Sequence, residues 1–240
     1  MVPAVIKNWD NKTWLSSKDY IKSFNKFLIK KIKLNPESKI LDIGCGRGKI
    51  LGSLSSKIRL KSKPLGIDII NHKDKDKRII FKKINASIFF VKNKKKFDLI
   101  LIKQTIHLLN FNEIKKLLNL SIKNLSKNGK IFIFTMDTEK NEIPTFKLMR
   151  TKLKKSLQRD KKMLKLISKF FLIQKSKFIY KVNVKKKRYL SMVEDRYIST
   201  LLSMTKQEIQ KGVNEINYKY KDKIKFNDKL VCIILQNSLK

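Results

Sequence analysis

The chain is 240 residues long, 42% hydrophobic, and carries a formal net charge of +39. That length allows one large domain with a sizeable core, and no run of about 18 uncharged apolar residues reads as a membrane-spanning helix. Only 7 of the 58 basic residues are Arg. The rest are Lys spread from end to end, so the charge predicts a soluble, self-repelling surface, weakly attractive to polyanions, and names no substrate.

Residues Ser17 to Ile32 place Tyr20, Ile21, Phe24, Phe27, Leu28 and Ile32 at helical spacing, with Ser17 as the N-cap. After Asn35-Pro36, the apolar run Ile40-Leu41-Asp42-Ile43 reads as a buried strand, followed by the turn Gly44-Cys45-Gly46-Arg47-Gly48 and a helix from Lys49. Lys63-Pro64 breaks the chain before a second strand, Leu65 to Ile69. A charged connection from Asn71 to Lys77 leads to a third strand, Ile79 to Ile84, and Phe97 to Ile102 forms a fourth. Asn112 to Leu125 is an amphipathic helix with Asn110 or Asn112 near its cap, and Asn128-Gly129 turns into a fifth strand, Lys130 to Thr135.

Beyond Asp137 the pattern changes. Pro144 to Phe171 is a long basic helical stretch, Lys177 to Val184 alternates like a strand, and Tyr189 to Leu202 is helical. Thr205-Lys206-Gln207-Glu208 is a capping box opening a helix to about Tyr218, and Leu230 to Leu235 closes the chain as a buried strand. Strands alternating with helices imply an α/β fold, a mostly parallel sheet with helices on both faces. Its ligand site lies at the carboxyl ends of the strands.

A strand, a glycine turn and a helix N-terminus make a site for the polar part of a nucleotide-like ligand. Dinucleotide-binding folds want G-x-G-x-x-G, whereas Gly44, Gly46 and Gly48 give G-x-G-x-G behind the acidic Asp42. Asp68 ends the second strand, 24 positions after Gly44, where an acid accepts ribose hydroxyls in dinucleotide-binding folds.

The run Ile40 to Gly48 resembles the first motif of the class I S-adenosylmethionine (SAM) methyltransferases. The resemblance implies a Rossmann-like seven-stranded sheet and SAM as cofactor. It places Gly44, Cys45, Gly46 and Gly48 against the methionine half of SAM, Asp42 at its amino-acid end, Asp68 at the ribose and Ile69 against the adenine. At Asn85-Ala86 the family usually has Asp, bonded to the adenine amino group; the side-chain oxygen of Asn85 can still accept that bond. Phe97 to His107 resembles the fourth motif of the small-molecule branch of the family (the type 11/25-like members), which puts Lys103 and Gln104 over SAM. His107 is then either a general base, for which an imidazole is suited, or a residue that caps or packs a helix beside the cofactor. The Asn/Asp-Pro-Pro-aromatic and Pro-Cys sequences that would mark base methylation are absent.

The resemblance also predicts an N-terminal helical lid over residues 1–38 and a SAM-binding domain over 39–240, with helical additions at about 144–172 and 187–218. Trp9, Trp14 and Tyr20 are candidate acceptor contacts in that lid, or else a hydrophobic staple for the first helix. Tyr189, Arg196 and Tyr197 are candidates in the insertion, suited to a carboxylate, with a surface salt bridge from Arg196 to Glu194 or Asp195 as the other reading. The expected function is methyl transfer to O, N or S of a small anionic metabolite. Methylation of tRNA or rRNA and a non-catalytic SAM-binding module are the alternatives. Met1 to Asp10 lacks a basic lead before an apolar core, so no secretory signal is read. Cys45 and Cys232 stand apart from any metal-spaced or disulfide pattern, which predicts no metal and a reducing cytoplasm.

Overall fold

The structure is a computed structural model and describes residues 13–236. A 3₁₀ turn, Trp14–Ser16, precedes α1 (Lys18–Lys31). There follow β1 (Ile40–Ile43), α2 (Lys49–Ile58), β2 (Leu65–Asp68), β3 (Ile80–Lys83), α3 (Ala86–Lys92) and β4 (Phe97–Lys103). A second 3₁₀ turn, Ile106–Leu108, leads to α4 (Phe111–Lys123), β5 (Leu125–Met136), α5 (Lys147–Phe170) and β6 (Gln174–Lys185). Then come α6 (Lys186–Glu194), a third 3₁₀ turn (Ser199–Leu201), α7 (Lys206–Lys219) and β7 (Lys223–Gln236).

The seven strands form one sheet in the order β3-β2-β1-β4-β5-β7-β6. β1 to β5 pair in parallel, and β7 runs antiparallel between β5 and β6. Strand order reverses beside β1, and the carboxyl ends of β1, β2 and β4 meet there. That is where such sheets bind ligands.

Side chains alternate across the sheet and divide the core into two layers. On β4, Leu99 and Leu101 join the layer beneath α1, α2, α6 and α7, while Ile100 and Ile102 join the layer beneath α3 and α4. α5 has 24 residues and is about 36 Å long at 1.5 Å per residue. Met149 near its start belongs to the first layer and Ile167 near its end to the second, so this helix spans both.

Residues 13–38, expected as part of a lid, pack as a core layer. Tyr20, Phe24 and Leu28 recur every four residues and are fully buried, and the rings of Tyr20 and Phe24 pack against Phe134 and Phe178 of the sheet. The Thr205 capping box forms as expected, and Asn110 rather than Asn112 caps α4, in a second capping box with Glu113. β6 and β7 run longer than their apolar cores. They form an antiparallel ladder paired from Gln174–Ile234 to Lys185–Lys223, whose register carries Asn227-Asp228 inside it.

Candidate active site

The glycine turn is tied to the end of β2. Gly44 and Cys45 donate their backbone N–H groups to the Ile67 carbonyl at 2.9 and 3.1 Å, and Gly48 donates to the Cys45 carbonyl at 2.9 Å. Gly44 and Gly46 adopt φ of +70° and +55°, where L side chains are strained. A Cβ on Gly44 would lie 2.2 Å from Thr105 Oγ1, so packing alone demands glycine there. A Cβ on Gly46 would meet nothing within 4 Å. That face of the turn is bare backbone, open to a ligand.

The turn forms one wall of a cleft at the carboxyl edge of the sheet, and Asp42, Asp68, Ile69, Ala86, Lys103 and Gln104 also line it. Asp68 Oδ2 accepts from Gly46 N at 2.9 Å and Oδ1 accepts from Ile70 N at 3.0 Å. Oδ1 keeps a second acceptor site for a ribose hydroxyl, while Oδ2 also faces His72 Nε2 at 3.7 Å. Burial pushes this carboxyl up, but hydrogen bonding from His72 and from those two amides outweighs it and holds Asp68 below the usual carboxylate range. Asp42 behaves oppositely: burial pushes its carboxyl up to about 8, Asp68 adds to the rise, and Lys103 opposes it. Such a buried acid is poised to lose its proton to solvent when a cation, such as the ammonium of an amino acid, binds beside it.

Ile69 and Leu108 are 54% and 57% exposed at the cleft. With Ile84 and Leu109 they supply the apolar walls a flat base needs. Asn85 caps α3, its side-chain oxygen accepting from Ser87 N at 2.8 Å, and it retains one acceptor site toward the cleft. Gln104 is held at φ +54° while its N–H donates to the Phe134 carbonyl at 2.8 Å. This is a strained conformation at the tip of β4, of the kind that collects at ligand sites. Bare backbone at Gly46, an acid with an open acceptor site and an apolar slot together fit SAM.

The structure does not bring the other candidate residues to the cleft. His107 lies in a 3₁₀ turn facing α5. Its carbonyl accepts from Arg159 at 2.7 Å, and burial lowers its imidazole pKa, with Asp160 and Arg159 acting on it in opposite directions. Trp14 is buried among Tyr197, Phe226 and Tyr189, and Tyr20 is fully buried on the sheet. The Tyr189 hydroxyl donates to the Pro144 carbonyl at 2.7 Å and pairs with the Tyr197 hydroxyl at 2.8 Å, pinning α6 to the core. The Arg196 guanidinium donates to the Met204 carbonyl at 2.8 Å instead of pairing with Glu194 or Asp195. Trp9 lies outside the described residues. Arg47, His72, Thr105 and Leu108 are among the cleft residues that sequence reasoning missed. The i, i+4 spacing of His72 from Asp68 was the one available signal, and its Nε2 lies 3.7 Å from Asp68 Oδ2.

With this cleft at the switch point of a 3-2-1-4-5-7-6 sheet, the class is that of the class I SAM-dependent methyltransferases. A family model described as "Methyltransferase domain" matches residues 34–196, and the chain belongs to that family. No curated protein sequence matches the chain. Among solved structures, a protein of Anabaena variabilis assigned as a methyltransferase from an antibiotic biosynthesis pathway is 14% identical, covers 87% of this chain and 95% of its own, and has a TM-score of 0.59. A SAM-dependent methyltransferase from Geobacter sulfurreducens, in complex with S-adenosylhomocysteine (SAH), is 13% identical over 92% and 91% of the two chains, TM-score 0.54. The plantazolicin methyltransferase BpumL, with SAH and a monoazolic desmethyl analogue, is 18% identical over 96% and 88%, TM-score 0.53. At these identities the likeness is one of fold. Among the described residues, no helix is long and apolar enough to cross a membrane.

Proposed function

We propose that this methyltransferase acts on O, N or S of a small molecule, with SAM held by the glycine turn, Asp42, Asp68, Ile69, Asn85, Ala86, Lys103 and Gln104. The observation that carries the reading is the wall beyond Lys103. Its Nζ lies 5.4 Å from the ring centre of Tyr20 and 5.6 Å from that of Phe24, and behind these rings stand Phe178 and Tyr180. Buried rings packed behind Lys103 leave its side chain as the cleft's boundary on that side, which suits a compact acceptor, whereas an RNA methyltransferase wants an open basic groove. Arg196 is engaged by Met204, so the anionic character it pointed to is not carried into the proposal.

When bound, SAM supplies an electrophilic methyl on a sulfonium. The residues of this chain bind and align: Asp68 takes the ribose hydroxyls, Asp42 gives up its proton and receives the ammonium, and Ile69 and Leu108 enclose the base. Holding the two reactants in line is the main contribution such a site makes. His107 faces α5, so it is assigned no proton transfer. The free thiols of Cys45 and Cys232 agree with a cytoplasmic setting. Incubation with methyl-labelled SAM and separate extracts of metabolites and total RNA tests the proposal. Label in the metabolite fraction is expected, and label confined to RNA would replace it with the nucleic-acid reading.

A further inference from the structure

The β6–β7 ladder continues past the carboxyl edge of the sheet. Met136, the last residue of β5, pairs with Leu230, so the seven pairs from Ile179–Lys229 to Lys185–Lys223 have no β5 beside them. This two-stranded arm is roughly 20 Å long at about 3.4 Å per residue. Its two faces differ in chemistry. Val182, Val184, Ile224 and Phe226 turn into the core layer beneath α1, α2, α6 and α7. The opposite face presents Ile179, Lys181, Asn183, Lys185, Lys223 and Lys225, all exposed, and neither strand places an acid on it.

At the foot of the arm the chain itself shows what this face binds. Asp137 and Glu142, in the connection from β5 to α5, lie against its first lysines. Asp137 Oδ2 accepts from Lys177 Nζ at 2.8 Å. Glu142 pairs with Lys229 through Oε1, while its Oε2 accepts from Asn227 N at 3.1 Å and Asn227 Nδ2 at 2.7 Å. Lys229 and then Asn227 hold the Glu142 carboxyl below the usual carboxylate range. The same kinds of donor recur further out, where Asn183 stands opposite Lys225. There the ammonium groups of Lys181, Lys185 and Lys225 make no hydrogen bond or ion pair among the described residues.

We propose that this exposed face is the docking site for an acidic, extended segment of a partner protein, which continues the contacts that Asp137 and Glu142 make at its foot. An extended segment sets alternate side chains about 7 Å apart on one side, the spacing of the lysines along each strand. Ile179, 52% exposed, gives such a segment an apolar contact. RNA fits less well. The cations are all Lys, which meet phosphate as point charges, and the face has no aromatic ring on which a base could stack. Like charge keeps a second copy of the chain away. The net charge of +39 draws polyanions toward the whole molecule; the arm is where an acidic peptide is held.

The test uses the whole chain and a fluorescein-labelled twelve-residue peptide of alternating Glu and Val, read by anisotropy. One variant combines Lys181→Glu, Lys185→Glu and Lys225→Glu. A second reverses three exposed lysines away from the arm, Lys57→Glu, Lys63→Glu and Lys82→Glu, with the same change in net charge. Both are first checked by circular dichroism for an unchanged fold. The arm variant should bind the peptide at least tenfold more weakly and the second variant less than threefold. A twelve-nucleotide uridine RNA should weaken alike in both. Ile179→Thr, neutral and suited to a strand, should weaken the peptide at least threefold and leave the RNA unchanged. No peptide binding by the unaltered chain, or equal peptide loss in the two charge variants, overturns the inference. Arm-selective loss confined to the RNA or to phosphatidylserine vesicles overturns it in favour of those partners, and arm-dependent self-association in sedimentation overturns it in favour of a second copy.

Discussion

Asp42→Asn is expected to make the cofactor-free protein more stable while weakening its grip on the cofactor. Asp42 is 4% exposed, and burial lifts its carboxyl from 3.8 to about 8. A folded-state value above the unfolded one means that the fold favours the protonated acid. The penalty is absent below about pH 4, grows as pH rises from 4 to 8 and is constant above. At pH 7 about three units of the shift are in force, roughly 4 kcal/mol at 1.36 kcal/mol per unit. Relaxation of the cleft around the charge reduces that to about 2 kcal/mol. For a chain of this size that corresponds to about 4–8 °C in Tm. Asparagine has the same shape and no charge to bury, so thermal denaturation of the two proteins should coincide near pH 4.5 and separate by several degrees at pH 8, the variant melting higher. The variant should bind SAH at least tenfold more weakly at pH 8, and the gap should narrow toward pH 4.5, where the Asp42 carboxyl is protonated. A Tm difference that does not change with pH, or a variant that melts lower at pH 8, would refute the reasoning.

The same acid makes cofactor binding pH-dependent. Binding an ammonium favours the Asp42 carboxylate, so SAH affinity should rise between pH 6 and 8 by at most tenfold per unit, with up to one proton released in calorimetry across buffers of different ionisation enthalpy. The glycines should separate by mechanism. Gly44→Ala meets Thr105 Oγ1 at 2.2 Å in a left-handed conformation and should cost about 2–4 kcal/mol in denaturant unfolding. Gly46→Ala has open space and should cost only about 1 kcal/mol of stability, yet lower SAH affinity, because its methyl projects from the bare face of the turn. His107→Ala should leave SAH affinity and methyl transfer within threefold of the unaltered chain, as measured by calorimetry and label incorporation, since the imidazole interacts with Asp160 and Arg159 of α5 and does not line the cleft.

The parts of the site legible in the sequence are those whose function is set by backbone geometry. A glycine turn between strand and helix needs its residues in one order, and Asp68 is recognisable because it ends a short apolar strand. Side chains whose role depends on direction were less legible. Trp14 and Tyr20 read equally well as lid contacts or as a hydrophobic staple for the first helix, because a helical stripe does not say what it packs against; for Tyr20, Phe178, more than 100 residues later, decides that. His107 stands where a base would, but the 3₁₀ turn at Ile106–Leu108 rotates it toward α5. Asp228 was hidden for another reason: it precedes the apolar run Leu230 to Leu235, and pairing with Tyr180 of β6 carries the strand back over it.

The central claim is that the cleft between the glycine turn and Asp68 seats SAM through its ribose. Titration calorimetry of SAH into the unaltered chain and into Asp68→Ala tests it most directly. One site per chain is expected for the unaltered protein, with at least a tenfold loss on removing the carboxylate; no binding to the unaltered chain, or equal affinity in the two proteins, would rule out that seat for the ribose.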